Sequence, residues 1–411
     1  MLRFLYSLLV SVACLFMQVI ACVHGKSRLW VMGRRNWRSR LRAWRSENPG
    51  DLYWFHCASL GEFEQGRPVI ERLRAEMPQS VILLTFFSPS GYEVRKSYAV
   101  ADAVFYLPAD TRSNANAFLD IVKPKQACFV KYEYWPNYFL GCKKRGISLI
   151  LISAILRPGQ RFFGFWSFFW KPVMQSVMHY FVQDEATARL LSGLGIDRCT
   201  VTGDTRFDRV LQVAANASEL PDAASWGAHA KVLIGGSTWP ADERVLHNWW
   251  QQAPSQWKLL LVPHEVGHAH IQALLRMWPE AALWSKRREL TTADARVMIV
   301  DEVGVLSILY RYAHLAWIGG GFGAGIHNTL EPAAWKLPIA FGPKHEKFSE
   351  ARGLIAAGAA LTAVNEEKGV ELLGRLTRKE ADLVGMGESA GRFVASGRGA
   401  TDKIMSFLRD E

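Results

Sequence analysis

From Met1 to Ser46 the chain has no aspartate or glutamate, although 38 acidic residues stand in the full 411. A stretch of one sign cannot neutralise itself, so its counterpart has to be an anionic surface or ligand. The overall excess of +11 points the same way. Cysteine is sparse as well. The six, Cys14, Cys22, Cys57, Cys128, Cys142 and Cys199, form no CxxC pair and no metal-ligand spacing. That excludes a zinc module or a disulfide framework and leaves free, mostly buried thiols in a reducing compartment. No Asp-x-Asp falls in the second half, so metal-independent chemistry with no cofactor is expected. Tandem repeats and low-complexity tracts are missing too. With 49% hydrophobic and 21% charged residues the chain is not disordered, and its length suits two cores and hence two domains.

What the sequence does have begins at Phe4. From there to Val23 nearly every residue is apolar and none is charged, and about 20 such residues are enough to cross a bilayer. Lys26, Arg28, Arg34, Arg35, Arg38, Arg40, Arg42 and Arg45 follow directly. A basic block of this kind stays cytoplasmic and binds anionic headgroups. Residues 1–25 therefore read as a membrane anchor and 26–50 as a basic juxtamembrane segment, with the bulk of the protein on the cytoplasmic face of an inner membrane. A cleaved signal peptide, or lipoprotein processing at Cys22, conflicts with that positive stop. Trp30, Trp37 and Trp44 are placed to sit at headgroup level; nucleic-acid binding by the same Arg/Trp run is the competing use, and no nucleic acid is expected as partner.

Beyond residue 50, apolar runs alternate with helical patterns: Leu52–Cys57, Val81–Phe86, Ala103–Tyr106, Gln126–Val130 and Leu149–Ile152, then Lys231–Gly235, Leu259–Val262, Arg296–Val300, Leu315–Ile318 and Ile339–Phe341. Repeated βα units imply parallel sheets covered by helices. Residues 51–215 and 216–378 read as two α/β domains facing a cleft, with a linker near Asn216–His229 and a helical tail over 379–411. The aromatic run Phe162–Val173 reads as a core or interdomain helix, with contact to a membrane or an acyl chain as the alternative.

Ligands of open α/β sheets sit beyond the carboxyl ends of strands, so the loops there are the candidates. Ser59-Leu60-Gly61-Glu62 is expected to hold a carboxylate free of a regular helix, although a glutamate near a helix start is also a cap partner. Lys131-Tyr132-Glu133 brings a second carboxylate, and Ser88 opens a further polar edge. Two converging carboxylates suit general-base work. In the second half Gly235-Gly236-Ser237-Thr238 and Pro263-His264 read as strand-end loops. Gly319 to Gly325 runs into a helix opening near Asn328, an arrangement that attracts phosphate; Lys344 and His345 follow. Gly319, Gly321 and Ala324 also fit a dinucleotide loop, but the acidic residue that reading wants about 20 positions on is replaced by Phe341-Gly342. Asn328 is placed to cap the helix or reach the ligand, and Glu331 to accept from ribose hydroxyls.

Taken in order, His56-Cys57-Ala58-Ser59-Leu60-Gly61-Glu62, Tyr132-Glu133-Tyr134-Trp135-Pro136-Asn137, Gly236-Ser237-Thr238, Gly319-Gly320-Gly321, His327 to Ala334 and Phe341-Gly342-Pro343-Lys344 resemble the 3-deoxy-D-manno-octulosonic acid (Kdo) transferases of lipopolysaccharide biosynthesis. The resemblance implies a GT-B glycosyltransferase of two Rossmann-like domains, moving Kdo from CMP-Kdo to a lipid A precursor (lipid IVA) with inversion. It implies Glu62 as general base and Glu133 as a second acidic residue. The donor is implied at Ser237, Thr238, Pro263, His264, Gly304, Val305, Leu306, Gly320, Gly321 and Asn328, Thr329, Leu330, Glu331. The acceptor falls to Ser59, Gly61, Ser88 and Lys131. The chain departs from the family where Pro263-His264-Glu265 replaces the commoner Pro-Arg-His, so a bidentate Arg is absent there. A GT-B transferase or epimerase using a UDP-sugar, and a non-catalytic membrane-tethered lipid-A-binding protein, are the other two readings.

Overall fold

The computed structural model describes residues 2–131, 133–288 and 295–410. The chain divides into two compact units, Met1–Arg209 with Gly399–Glu411, and Val210–Arg398.

The first unit is built on seven strands: β1 (Leu52–Cys57), β2 (Val81–Phe86), β3 (Ala103–Tyr106), β4 (Gln126–Val130), β5 (Ser148–Ala154), β6 (His179–Val182) and β7 (Cys199–Val201). They pair in the order β3-β2-β1-β4-β5-β6-β7, and every pairing is parallel. β1, β2 and β4 are buried at every position, because helices cover both faces and side chains of either parity meet apolar neighbours. Trp54, Leu83, Phe118, Phe129 and Leu151 fill one face. Phe55, Ile70, Leu73, Leu84 and Ile150 fill the other, joined by Ile404, Met405 and Leu408 of the last helix. The tail therefore does not act as one element: Glu380–Ser396 belongs to the second unit and Ala400–Asp410 to the first. The break falls at Gly399, whose φ of +105° suits glycine.

The basic segment forms two helices, Gly25–Gly33 and Trp37–Glu47, and packing corrects how its side chains were read. Trp37 meets Phe118 and Trp44 meets Phe105, while Trp30 packs on Phe87; these rings face the unit's own apolar surface and not a headgroup layer. Arg34 stacks on Trp30, 3.9 Å from the ring centroid. It donates to the carbonyls of Leu107 and Phe87, both at 2.8 Å, beyond the ends of β3 and β2. Its burial holds the guanidinium down to about 9. Arg45 likewise serves backbone carbonyls, at Val122 and Gly50.

The second unit repeats the plan with β8 (Lys231–Thr238), β9 (Trp257–Pro263), β10 (Ala282–Leu283), β11 (Val297–Ile299), β12 (Leu315–Ile318), β13 (Ile339–Phe341) and β14 (Ala360–Thr362). The order is β10-β11-β9-β8-β12-β13-β14. Gly235 to Thr238, expected as a loop, are the end of β8. A Cβ on Gly235 would lie 2.7 Å from Leu246, and one on Gly236 would lie 2.2 Å from the Tyr310 hydroxyl. These glycines serve close packing of helices on the strand rather than a ligand.

Candidate active site

An open parallel sheet parts its loops where neighbouring strands send their connections to opposite faces, and the crevice opens there. In the first unit this happens between β1 and β4. The chain leaving β1 carries Ser59 and Glu62, and the chain leaving β4 carries Lys131 and Glu133, so topology alone gathers the two carboxylates. Glu62 is not in a loop as expected: the helix Leu60–Glu76 begins ahead of it and Glu62 is its third residue, with 9% of its surface exposed. The reason is a capping box. Ser59 N–H donates to Glu62 Oε2 at 3.1 Å, and the Ser59 hydroxyl meets the same oxygen, satisfying donors that the helix start would otherwise leave bare. Among the described residues the other carboxylate oxygen accepts nothing.

Glu133 is half-buried beside it. Burial, and then the negative charge of Glu62, push its carboxyl up to about 7; the Trp135 indole, close but outside hydrogen-bond geometry, and Arg161 pull more weakly the other way. A charge effect falls off with distance, so Glu133 lies within electrostatic reach of Glu62, as their places at the ends of neighbouring strands require. Under them His56 is wholly buried and held neutral, its pKa down to about 3 by desolvation. Its Nδ1 lies 2.9 Å from Thr85 Oγ1, to which Trp54 also donates at 2.8 Å. Ser88 is the N-cap of Pro89–Arg95 and bonds through its own N–H to the Ala58 carbonyl at 2.8 Å. Gly61 has room around it, whereas Lys131 takes a φ of +69° as its N–H continues the ladder to Ile152.

In the second unit the parting lies between β8 and β12. β8 delivers Ser237 (φ +53°), Thr238 and Trp239, and β12 delivers Gly319, Gly320 and Gly321. Asp242, which the sequence reading passed over, ties the two together. It accepts from Gly320 N–H at 2.8 Å, Trp317 Nε1 at 3.1 Å and Trp239 N–H at 3.1 Å. The Gly320 N–H is thus engaged by an internal carboxylate and not presented to phosphate. Thr238 is buried and donates to Glu243 at 3.2 Å, so its hydroxyl is engaged as well. Gly321 lies so close to Gly342 that a Cβ would come within 2.6 Å of its backbone, which explains Phe341-Gly342-Pro343 as packing between two loops.

The helix after Asn328 has five residues, Leu330–Ala334. An element this short adds little dipole, so the phosphate attraction first read there has to come from individual groups. Thr329 is its N-cap; one residue earlier Asn328 Oδ1 accepts from Leu330 N–H at 3.0 Å, and Asn328 Nδ2 donates to Glu331 at 3.0 Å. Leu330 and Thr329 point into the core; the Thr329 hydroxyl finds no partner among the described residues. Gly304 (φ +89°), Val305 and Leu306 lead into a single turn, Leu306–Leu309. Pro263 ends β9 and is buried, while His264 beyond it is exposed and stacks between Trp239 at 4.7 Å and His327 at 4.5 Å. Trp239 Nε1 donates to His327 Nε2 at 2.9 Å. Burial, with His264 close by, brings His327 down to about 4.

The family model described as 3-Deoxy-D-manno-octulosonic-acid transferase (kdotransferase) matches residues 35–209. The 3-deoxy-D-manno-octulosonic acid transferase of Chlamydia muridarum is 27% identical over 346 residues, covering 80% of this chain and 79% of that relative. The transferase of the same name from Haemophilus influenzae is 25% identical over 381 residues, covering 88% and 87%. Over most of its length the chain is similar to the Kdo transferases.

This transferase is accordingly an enzyme, a glycosyltransferase of lipopolysaccharide biosynthesis. Its fold is similar to the UDP-GlcNAc 2-epimerase of Neisseria meningitidis bound to UDP-GlcNAc, with a TM-score of 0.60 at 14% identity over 88% of this chain and 99% of that one. It is also similar to Acinetobacter baumannii MurG, with a TM-score of 0.54 at 14% identity over 88% and 100%. At such identity the likeness is one of fold, and the fold is GT-B. Among the described residues no group of three or more His, Cys, Asp or Glu is placed to hold a metal ion. The sequence reading gave no role to Asp242, Trp239 or His327, although His327 stands in one of the motifs that carry the resemblance. Asp242 had a signal: an acid three residues after the cap Trp239, with Pro240 at the first helical position, is the pattern of a helix start.

Proposed function

We propose that this transferase moves Kdo from CMP-Kdo to a lipid A precursor, lipid IVA, with inversion, and that Glu62 is its general base. The observation that carries this reading is the Glu62–Glu133 pair at the parting of the first sheet. Two neighbouring carboxylates do not both ionise easily, and Glu133 keeps its proton up to about 7. The base role therefore falls to Glu62, whose Oε1 accepts a proton from the acceptor hydroxyl as that oxygen attacks the anomeric carbon of Kdo. The bond from that carbon to the CMP phosphate oxygen breaks, CMP leaves with the electron pair, and the proton rests on Glu62.

On the donor side Asn328, Glu331 and the backbone around Gly321 hold the nucleotide, with Asp242 keeping the glycine turn in shape. The stack of Trp239, His264 and His327 stands where the usual Arg is lacking. Ser59, Gly61, Ser88 and Lys131 face the acceptor, a phosphorylated and acylated sugar that stays at the cytoplasmic face of an inner membrane. The test is direct. The full chain in detergent, given CMP-Kdo and lipid IVA, yields a lipid heavier by one Kdo and releases CMP. Release of UDP from UDP-sugars in its place supports the epimerase-like reading, and binding of lipid with no product supports the non-catalytic one.

A further inference from the structure

The helix Leu2–Ile20 is long and apolar enough to cross a membrane, yet it is held along its length against the first unit. Ser7, Val10, Cys14 and Met17 are half-buried at spacings of three and four, with half-buried Tyr6 next to Ser7, and the stripe ends in buried Ala21. Near its start Arg3 donates to Asn137 Oδ1 at 3.5 Å, and Asn137 Nδ2 donates to Ser7 Oγ at 3.1 Å. The Tyr6 hydroxyl lies against Asp110, and its ring is 5.9 Å from Phe169. Asp110 in turn receives the N–H groups of Asn137 and Tyr138, both at 3.1 Å, and so anchors the helix Pro136–Arg145. Near its other end Cys14 and Gln18 line a cavity of about 250 Å³ with Trp30, Arg34, Pro108 and Asn114.

A spanning helix cannot keep both sets of contacts. At 1.5 Å per residue its ends are about 28 Å apart, roughly the hydrocarbon thickness. Arg3 and Ser7 would lie across the bilayer from Asn137 and Asp110. The opposite face is apolar and open: Phe4, Leu8, Leu9, Leu15, Phe16 and Val19 are each more than half exposed. Phe165, Trp166 and Phe168, also more than half exposed, stand next to Phe169 in the chain. Just beyond the helix Lys26, Arg28, Arg35, Arg38, Arg40 and Arg42 are exposed with no acid among them.

We infer that this helix lies in the plane of an anionic membrane surface, docked on the first unit through Arg3, Tyr6 and Ser7, and does not cross the bilayer. Its outer face and the Phe165–Phe168 aromatics enter the lipid, while the cations after it meet headgroups. A second copy of the chain is the poorer occupant, because it would bring the same acid-free positive segment to the contact. The inference rests on the reading that the chain works at a membrane, and it fixes the geometry of that attachment.

Two measurements on the full chain separate the outcomes. Purified protein is floated with vesicles of three parts phosphatidylcholine to one part phosphatidylglycerol, and N-terminal fusions in cells carry either a fluorescent reporter that matures in the cytoplasm or an alkaline phosphatase active only outside it. Flotation, fluorescence and a silent phosphatase are expected. An active phosphatase with a dark fluorescent fusion overturns the in-plane helix and leaves membrane attachment standing. Failure to float overturns the membrane reading and this inference with it. Leu8→Ser with Phe16→Ser should lower flotation at least tenfold while transfer to detergent-dispersed lipid stays unchanged; unchanged flotation overturns the assigned face.

Discussion

Glu62→Gln separates a cap from a base. In the structure Glu62 caps its own helix through the Ser59 N–H and hydroxyl, and a role confined to that would make the residue structural. A capping box accepts Gln at the same position as Glu, so the variant keeps the cap and loses only the negative charge near the helix start, about 0.3–1 kcal/mol. Loss of a general base costs about 10²- to 10⁴-fold in rate, which is about 3–5 kcal/mol of barrier. The catalytic effect thus exceeds the stability effect several-fold and appears in kcat, with donor binding retained. Ser59→Ala is the counterpart: it weakens the cap by about 1 kcal/mol but leaves the carboxylate, so its melting temperature falls further than its rate. Product lipid measured by mass at saturating CMP-Kdo, beside thermal unfolding of both variants, reads out the two effects. The base assignment is wrong if Glu62→Gln keeps kcat within fivefold of the parent.

Other perturbations follow from the same geometry. Removing the Glu62 charge should lower the Glu133 pKa from about 7, though burial keeps it above the ordinary 4.5; a carboxyl-carbon NMR titration of Glu133 in Glu62→Gln that matches the parent would contradict the pairing. Because the folded value of Glu133 is raised, its contribution favours the fold fully below the ordinary range and is lost as pH rises through about 7. Glu133→Gln should therefore gain on the parent in urea unfolding as pH climbs over that window, and parallel curves would count against it. Asp242→Ala strands the buried Trp317 indole and the Gly320 N–H; at about 1–3 kcal/mol per unsatisfied donor, unfolding free energy should drop by about 2–6 kcal/mol, with CMP affinity weakened in calorimetry. Gly321→Ala forces a Cβ into the Gly342 backbone at 2.6 Å, and its melting temperature should fall more than that of Gly61→Ala, where nothing lies closer than 3.8 Å.

How much of this was legible in the chain can be followed residue by residue. Apolar runs such as Val81–Phe86 fixed the strands, since only a sheet covered on both faces hides a continuous apolar stretch. Ala282–Leu283 and Ala360–Thr362 left no such trace: both are short and only partly buried, so no continuous apolar run marks them, and pairing with β11 and β13 is what makes them strands. The carboxylates Glu62 and Glu133 and the Asn328–Glu331 segment were readable as chemistry at strand ends. Their engagements were not. That Gly320 is bonded to Asp242 and that Gly342 makes room for Gly321 are matters of distance between segments far apart in sequence.

Charge and hydropathy are properties of residues, so the sequence by itself determined the acid-free basic stretch, the apolar helix and the two parallel sheets. Which strand neighbours which is a property of the folded chain. Tertiary structure alone decided that β1 lies beside β4 and β8 beside β12, bringing Glu62 to Glu133 and Asp242 to the glycine turn. It also decided that Arg3 and Ser7 touch Asn137, a contact across some 130 residues that no local pattern encodes.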